Sequence, residues 1–289
     1  MTVPQPTTDS VADLPLTSPL GDAGVQGFGL MRVRDEGWGD ADRDPGALVR
    51  AALDGGVRVL DTAEMYGNED VVGRAIAGVR SEVFLCTKFG VYWGESGRFD
   101  DWSVRADPAT VHRAIDGSLG RLGTDTIDLY YLHHRSDDTP IEDTVGAMAE
   151  LRAAGKIRRL GLSNVTEDDI KRAHAVHPIS AVQQPWSLAE RKVETMLPLL
   201  RELGIALVAH SPMNHGDVGA AGRSTAVQQA AARHGISTAQ LSLAWVQQRA
   251  RTLDQQVIPL PGTTRVSHLR DNIAMSTLEL DDATMSELS

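Results

Sequence analysis

Four side chains in this sequence have the types and order from which a proton-transfer site can be built: Asp61, Tyr66, Lys88 and His133. Asp61 closes the apolar run Val57-Arg-Val-Leu60. Tyr66 follows five residues later, in a connection where Gly67 and Asn68 supply turn chemistry and Glu69-Asp70 favour the start of a helix. A free phenol has a pKa of about 10, too high for an efficient donor near neutrality. A lysine held against it favours the phenolate, and a carboxylate fixes the lysine. The expected arrangement is therefore Asp61 on Lys88, and Lys88 on Tyr66. His133 can orient a carbonyl oxygen or share the proton transfer. Taken singly, each residue also has a structural use: Asp61 as a turn cap, Lys88 as the partner of any acid, His133 as a satisfied core residue. Their conjunction is what points to chemistry.

These groups meet only if successive strands end at one place. The sequence contains eight strand candidates: Gly27–Arg32, the run from Val57, Val83–Lys88, Ile127–His133, Ile157–Ser163, Ile179–Gln183, Ile205–His210 and Gln256–Leu260. Amphipathic helices alternate with them. The first, Pro45 to Leu53, has Asp44 as N-cap and proline at its first position. Several helices stop at a glycine close to the next strand, at Gly78, Gly123, Gly155 and Gly204. Alternation implies an α/β fold with a parallel sheet and helices outside, and eight units imply closure into a single-domain (β/α)8 TIM barrel over residues 23–289. Two helices, Thr225 to His234 and Thr238 to Ala250, precede the last strand, so one is an insertion. An open doubly wound sheet is the alternative, but Gly27-Phe-Gly-Leu does not continue as the glycine fingerprint of that fold.

The 289 residues carry a formal charge of -11, which argues against nucleic acid or an anionic membrane as partner. The single cysteine, Cys86, excludes an internal disulfide framework and points to a reducing, cytoplasmic setting. No apolar run approaches a membrane span. Residues 1–22, rich in Pro, Thr, Ser and Asp, read as a disordered tail and not a signal peptide. The pair His133-His134 does not make a metal site, because adjacent strand residues face opposite ways and no second cluster supplies ligands. No metal is expected, and the oligomeric state is not legible.

The sequence resembles the aldo-keto reductase family. The resemblance rests on Gly56-x-Arg-x-x-Asp61-Thr-Ala-x-x-Tyr66-Gly67, the Thr-Lys88-Phe lysine, Asp128-Leu-Tyr-x-x-His133, and the turn Gly161-Leu-Ser163-Asn164, and it runs from about Gly27 to Asn272. It implies reduction of an aldehyde or ketone by NADPH, with Tyr66 protonating the carbonyl oxygen, Lys88 and Asp61 tuning it, and His133 orienting the oxygen. By the same resemblance Ser163, Asn164 and Gln183 hold the nicotinamide carboxamide. His210, Ser211 and Pro212 stand at the end of the seventh strand, His210 where relatives place a stacking aromatic. Gly262 and Thr263 present groups to phosphate, Arg265 and His268 reach the 2′-phosphate, and Asp271 and Asn272 read adenine. Trp186 stands where many relatives have tyrosine. A class apart is a nicotinamide-binding sensor or regulatory subunit on the same barrel; a tuned phenol favours the enzyme. Trp38, Trp93 and Trp102 are candidate walls of an open substrate pocket, because the chain beyond Asn272 is too short for a long closing loop.

Overall fold

The computed structural model describes residues 20, 24, 26–35, 44–96, 98, 100–213, 225–253 and 256–288. Ten strands follow in chain order: β1 (Gly27–Gly29), β2 (Val59–Asp61), β3 (Phe84–Phe89), β4 (Val91–Trp93), β5 (Trp102–Val104), β6 (Ile127–Leu132), β7 (Ile157–Ser163), β8 (Ala181–Pro185), β9 (Ala206–His210) and β10 (Val257–Leu260). Eight of them make one parallel sheet in the order β1-β2-β3-β6-β7-β8-β9-β10, with helices between successive members. β10 returns to β1 through a single parallel bridge, Gly29 to Gly262, and the Gly29 N–H donates to the Pro261 carbonyl at 2.9 Å. The result is the expected (β/α)8 barrel, closed at that seam by two glycines. A Cβ at Gly262 would lie 2.9 Å from the Gly29 carbonyl oxygen, so the seam needs Gly262 bare.

Alternation along each strand sorts the core into two parts. Val59, Phe84, Cys86, Leu129, Tyr131, Val208, Ile258 and Leu260 fill the barrel. Their neighbours Leu60, Leu85, Tyr130, Leu132, Leu160 and Leu207 face outward under the helices. The helices start on side-chain caps: Asp44 accepts from the Ala47 N–H, Asp107 from Thr110, and Thr166 forms a reciprocal capping box with Asp169. Gly78, Gly123, Gly155 and Gly204 all adopt positive φ, as helix stops of this kind require.

Three features add to the sequence reading. The long aromatic connection after Lys88 carries structure of its own, the antiparallel hairpin β4–β5. The tail 1–22 lies outside the described residues except at Leu20, which is fully buried in the barrel interior with its N–H on Gln256 Oε1 at 3.1 Å, so at that point the chain is packed. Its apolar side chain in a polar run is the physical reason. Trp186 is buried against Trp245, 6.0 Å between ring centroids, with its indole N–H on Glu194, so it belongs to the outer core.

Gly161 shows how tightly the barrel is filled. A Cβ there would meet the Tyr131 ring at 2.4 Å, and Tyr131 has no exposed side through which to retreat. Gly161→Ala is therefore expected to cost about 1–3 kcal/mol by overpacking, read as a lower midpoint in denaturant or thermal unfolding. An unchanged midpoint would mean that the ring has room to move.

Candidate active site

Polar side chains gather at one mouth of the barrel, the end toward which all eight strands point. β2 delivers Asp61 as its last residue, β3 delivers Lys88, and the residue after β6 is His133. Lys88 is 1% exposed and Asp61 2%. Such a buried ammonium must be paired, and its Nζ meets Asp61 Oδ1 and donates to the Thr62 carbonyl at 2.9 Å. The other carboxylate oxygen, Oδ2, accepts from the Gln183 side-chain amide of β8 at 3.0 Å. The third neighbour of the ammonium is the Tyr66 hydroxyl, 3.5 Å away.

Burial acts against every charge here. It pushes the Asp61 carboxyl up, and Lys88 and Gln183 pull it back. It pulls the Lys88 ammonium down, but the charge of Asp61 offsets this and leaves Lys88 raised. We take the pair as ionised, because both carboxylate oxygens hold donors. The Tyr66 phenol is raised by burial, opposed by Lys88 and reinforced by Asp61. The expectation that Lys88 lowers Tyr66 is thus half right: the ammonium acts in that direction, but desolvation outweighs it in the resting protein. His133 is pushed well below its usual value of 6.5, first by burial and then by Lys88 and His210. Its ring stands edge-on to Tyr66 at 5.6 Å, and its Nδ1 is buried with no hydrogen-bond partner. The imidazole is neutral.

Tyr66 is not on a strand. It ends a single 3-10 turn, Glu64–Tyr66, closed by Gly67 at φ 64°. Asn68 anchors this turn from inside: its amide donates to the Leu30 and Val33 carbonyls at 2.7 and 2.9 Å, and its oxygen accepts from the Thr62 hydroxyl at 2.7 Å. Thr62 and Asn68 are site residues that the sequence reading passed over. Both lie inside the stretch it singled out, and full burial of a polar side chain is what marks them.

Beyond Tyr66 opens a cleft of ≈ 770 Å³. One end is walled by Met65, Val91, Trp93, Trp102 and His134, with the Trp102 and His134 rings 5.0 Å apart. His133 and His134 both line it, contrary to the alternation expected of strand residues, because β6 ends at Leu132. The middle holds Ser163, Asn164, Gln183, His210, Ser211 and Pro212, and the far end Gly262, Thr263, Arg265, His268, Asp271 and Asn272. The structure thus brings all of these candidates to one cleft, with Lys88 behind it; Trp38 lies outside the described residues. Asn164 and Ser211 are the two described non-glycine residues at positive φ, both 53°. Both follow the last residue of a strand and both face the cleft. Strain of this sort gathers at functional sites, and no sequence signal announced it. The Asn164 amide donates to the His133 carbonyl at 3.1 Å. Among the described residues no group of three or more His, Cys, Asp or Glu is arranged to hold a metal, and no helix is long and apolar enough to cross a membrane.

The family model described as "Aldo/keto reductase family" matches residues 27–289. A protein of Glycine max named "Probable aldo-keto reductase 1" is 34% identical over 296 residues, covering 91% of this chain and 83% of that one. Among solved structures, an aldo/keto reductase from Klebsiella pneumoniae in complex with NADP and acetate superposes with a TM-score of 0.74 at 31% identity, covering 93% of this chain and 91% of the other. The glycerol dehydrogenase of Gluconobacter oxydans gives a TM-score of 0.78 at 25% identity, over 92% and 90%.

Two measurements test the electrostatics. Asp61→Asn strips the buried ammonium of its counter-charge and is expected to cost about 3–5 kcal/mol in denaturant unfolding. The double variant Asp61→Asn/Lys88→Met should lose less than the sum of the two singles, and strict additivity would contradict the pairing. For His133, a folded pKa below 6.5 means that the unfolded chain binds the proton more readily. Its contribution to stability is full above about pH 6.5 and is lost as the pH falls toward the folded value, with a slope of at most about 1.4 kcal/mol per unit. His133→Gln should flatten the acid limb of stability against pH, and an unchanged limb would show the imidazole already charged.

Proposed function

The chain belongs to the aldo/keto reductase family, and from that membership we propose that it reduces an aldehyde or ketone to an alcohol with NADPH, Tyr66 supplying the proton. The observation that carries this reading is the Tyr66 hydroxyl, 3.5 Å from the Lys88 ammonium at the floor of the cleft. Bound NADPH supplies the hydride that goes to the carbonyl carbon. The protein supplies the rest.

The far end of the cleft suits a dinucleotide phosphate. The helix Val266–Ala274 begins there, and its N-cap, Arg265, makes no side-chain cap and is followed by no acid in the first turn. Its first N–H groups and dipole are thus open to an anion, where the helices begun by Asp44, Asp107, Thr166 and Ser237 satisfy their own starts. Bare Gly262 lets the backbone come close, Arg265 and His268 offer cations or donors to a 2′-phosphate, and Asp271 and Asn272 lie further along for adenine. Ser163 and Asn164 meet the carboxamide. Gln183 joins them through its oxygen, because its amide is committed to Asp61. His210, with Nδ1 3.1 Å from the Ser211 hydroxyl, would stack its ring on the nicotinamide.

The Tyr66 phenol, pushed up further by burial, is protonated at neutral pH, the form a donor needs. When the proton moves to the carbonyl oxygen, negative charge appears on the phenol oxygen beside Lys88. The ammonium then acts on a charge absent from the resting state, which is how an electrostatic contact accelerates a step. Neutral His133 can donate a hydrogen bond to the same oxygen without competing as a cation. The walls of Met65, Val91, Trp93 and Trp102 favour an apolar or flat carbonyl compound.

Tyr66→Phe removes one oxygen and nothing else. We expect kcat for aldehyde-dependent NADPH oxidation to fall by about 10²–10⁴-fold, with NADPH affinity, measured by fluorescence quenching, unchanged within twofold. Retained turnover in the variant would overturn Tyr66 as the acid. A wild type that binds NADPH yet oxidises it with no aldehyde or ketone would overturn the reaction.

A further inference from the structure

The Glu64–Tyr66 turn has no means of holding itself. Its three residues are each only partly buried, its N-cap makes no side-chain bond, and its internal bonds are Tyr66 N–H to Ala63 and Gly67 N–H to Glu64, each at 3.0 Å. What fixes it comes from elsewhere. Trp93 Nε1 donates to the Met65 carbonyl at 2.9 Å and Arg34 donates to the Tyr66 carbonyl at 2.6 Å, while the Tyr92 hydroxyl lies near enough to the Glu64 carboxyl to act on it electrostatically. Two consecutive turn residues are each held through the carbonyl by a side chain, and Tyr92, the neighbour of Trp93 on β4, lies by the third.

β4 is not part of the barrel sheet. It pairs with β5 alone, Trp93 opposite Trp102, and the hairpin leaves the barrel at Gly90, φ 96°, where the Arg105 N–H donates to the Gly90 carbonyl at 2.8 Å. A Cβ at Gly90 would lie 3.0 Å from the Arg105 carbonyl, so the neck of the hairpin is tight. Trp93 therefore has two faces of contact: its ring walls the substrate end of the cleft, and its N–H grips the peptide just before Tyr66.

We propose that the β4–β5 hairpin positions the proton donor, with Trp93 as the positioning residue, so that the substrate wall and the placement of the Tyr66 hydroxyl form one mechanical unit. The hydroxyl stands 3.5 Å from Lys88, at the outer edge of a hydrogen bond. A turn released by a few tenths of an ångström loses that contact. The inference rests on Tyr66 being the acid, and its test has one readout that does not.

Trp93→Phe keeps an aromatic ring in the wall, smaller than the indole, and removes the donor. Single-turnover NADPH oxidation at saturating benzaldehyde should slow about 3–10-fold, the size of one hydrogen bond, with NADPH affinity unchanged. Hydrogen exchange at the Tyr66 and Gly67 amides should quicken by a similar factor while β2 and β3 stay protected. Tyr92→Phe, which removes only the hydroxyl near Glu64, should move both readouts the same way by less. A Trp93→Phe enzyme that shows only a raised KM, or whose Tyr66 and Gly67 amides exchange at the wild-type rate, overturns the proposal. A wild type that reduces no carbonyl overturns the reductase reading instead, and the exchange result still decides whether Trp93 holds the turn.

Discussion

One charge organises this protein: an ammonium with almost no exposure inside a barrel. Lys88 is tolerable there only because Asp61 faces it from β2, the Thr62 carbonyl accepts from it, and Gln183 of β8 secures the far oxygen of Asp61. Removing a charge from water is costly, and its partners must then be held in register. The parallel pairings of β2 with β3 and of β7 with β8 supply that register. The same rows govern packing. Lys88 pairs with Tyr131, Tyr131 with Gly161, Gly161 with Ala181, and Ala181 with Ala206, so two large side chains stand against three small ones in one layer. The smallest member, Gly161, leaves the space that the Tyr131 ring fills.

The ion pair also sets what the mouth can do. With Asp61 close to it, Lys88 presents a nearly balanced pair to the resting phenol, and burial dominates Tyr66. The ammonium matters more for a phenolate, whose charge it faces at 3.5 Å. Burial likewise keeps His133 neutral, helped by the same ammonium. One cation thus holds one neighbour uncharged and stands ready to stabilise charge on another. Which neighbour it favours is decided by distance and by which form is charged.

Much of this was legible in the sequence. Apolar runs, glycine stops and proline-led helix starts gave eight alternating units, and the four chemical residues fell at or just beyond strand ends where a barrel gathers them. What could not be read follows from physics that acts across the chain. That desolvation outweighs Lys88 at Tyr66 depends on the depth of the site, which no spacing encodes. Gln183 donating to Asp61, 122 positions away, depends on the width of the barrel. The hairpin β4–β5 was hidden because its strands are three residues each and their pairing answers to no core periodicity. The positive φ of Asn164 and Ser211 was hidden because neither residue is glycine. Leu20 was lost in a polar run, where a single apolar side chain gives no pattern.

The distribution of supports around Tyr66 has a reason in the same architecture. Asp61, Lys88 and Gln183 lie on strands, whose ladders fix their backbones to both neighbours. Tyr66 has no ladder, because a phenol must reach past the strand end to face both the ammonium and the cleft. A short turn can make that reach but cannot bury apolar surface of its own, so its stability must be borrowed. Asn68 lends it from the interior, through the carbonyls after β1, and side chains from the neighbouring loops lend it from outside. Loops beside a barrel mouth are where pocket shape varies most freely. A chain that hangs its proton donor on them couples the shape of the pocket to the placement of the acid, whereas the ion pair beneath, fixed by the sheet alone, does not change with either.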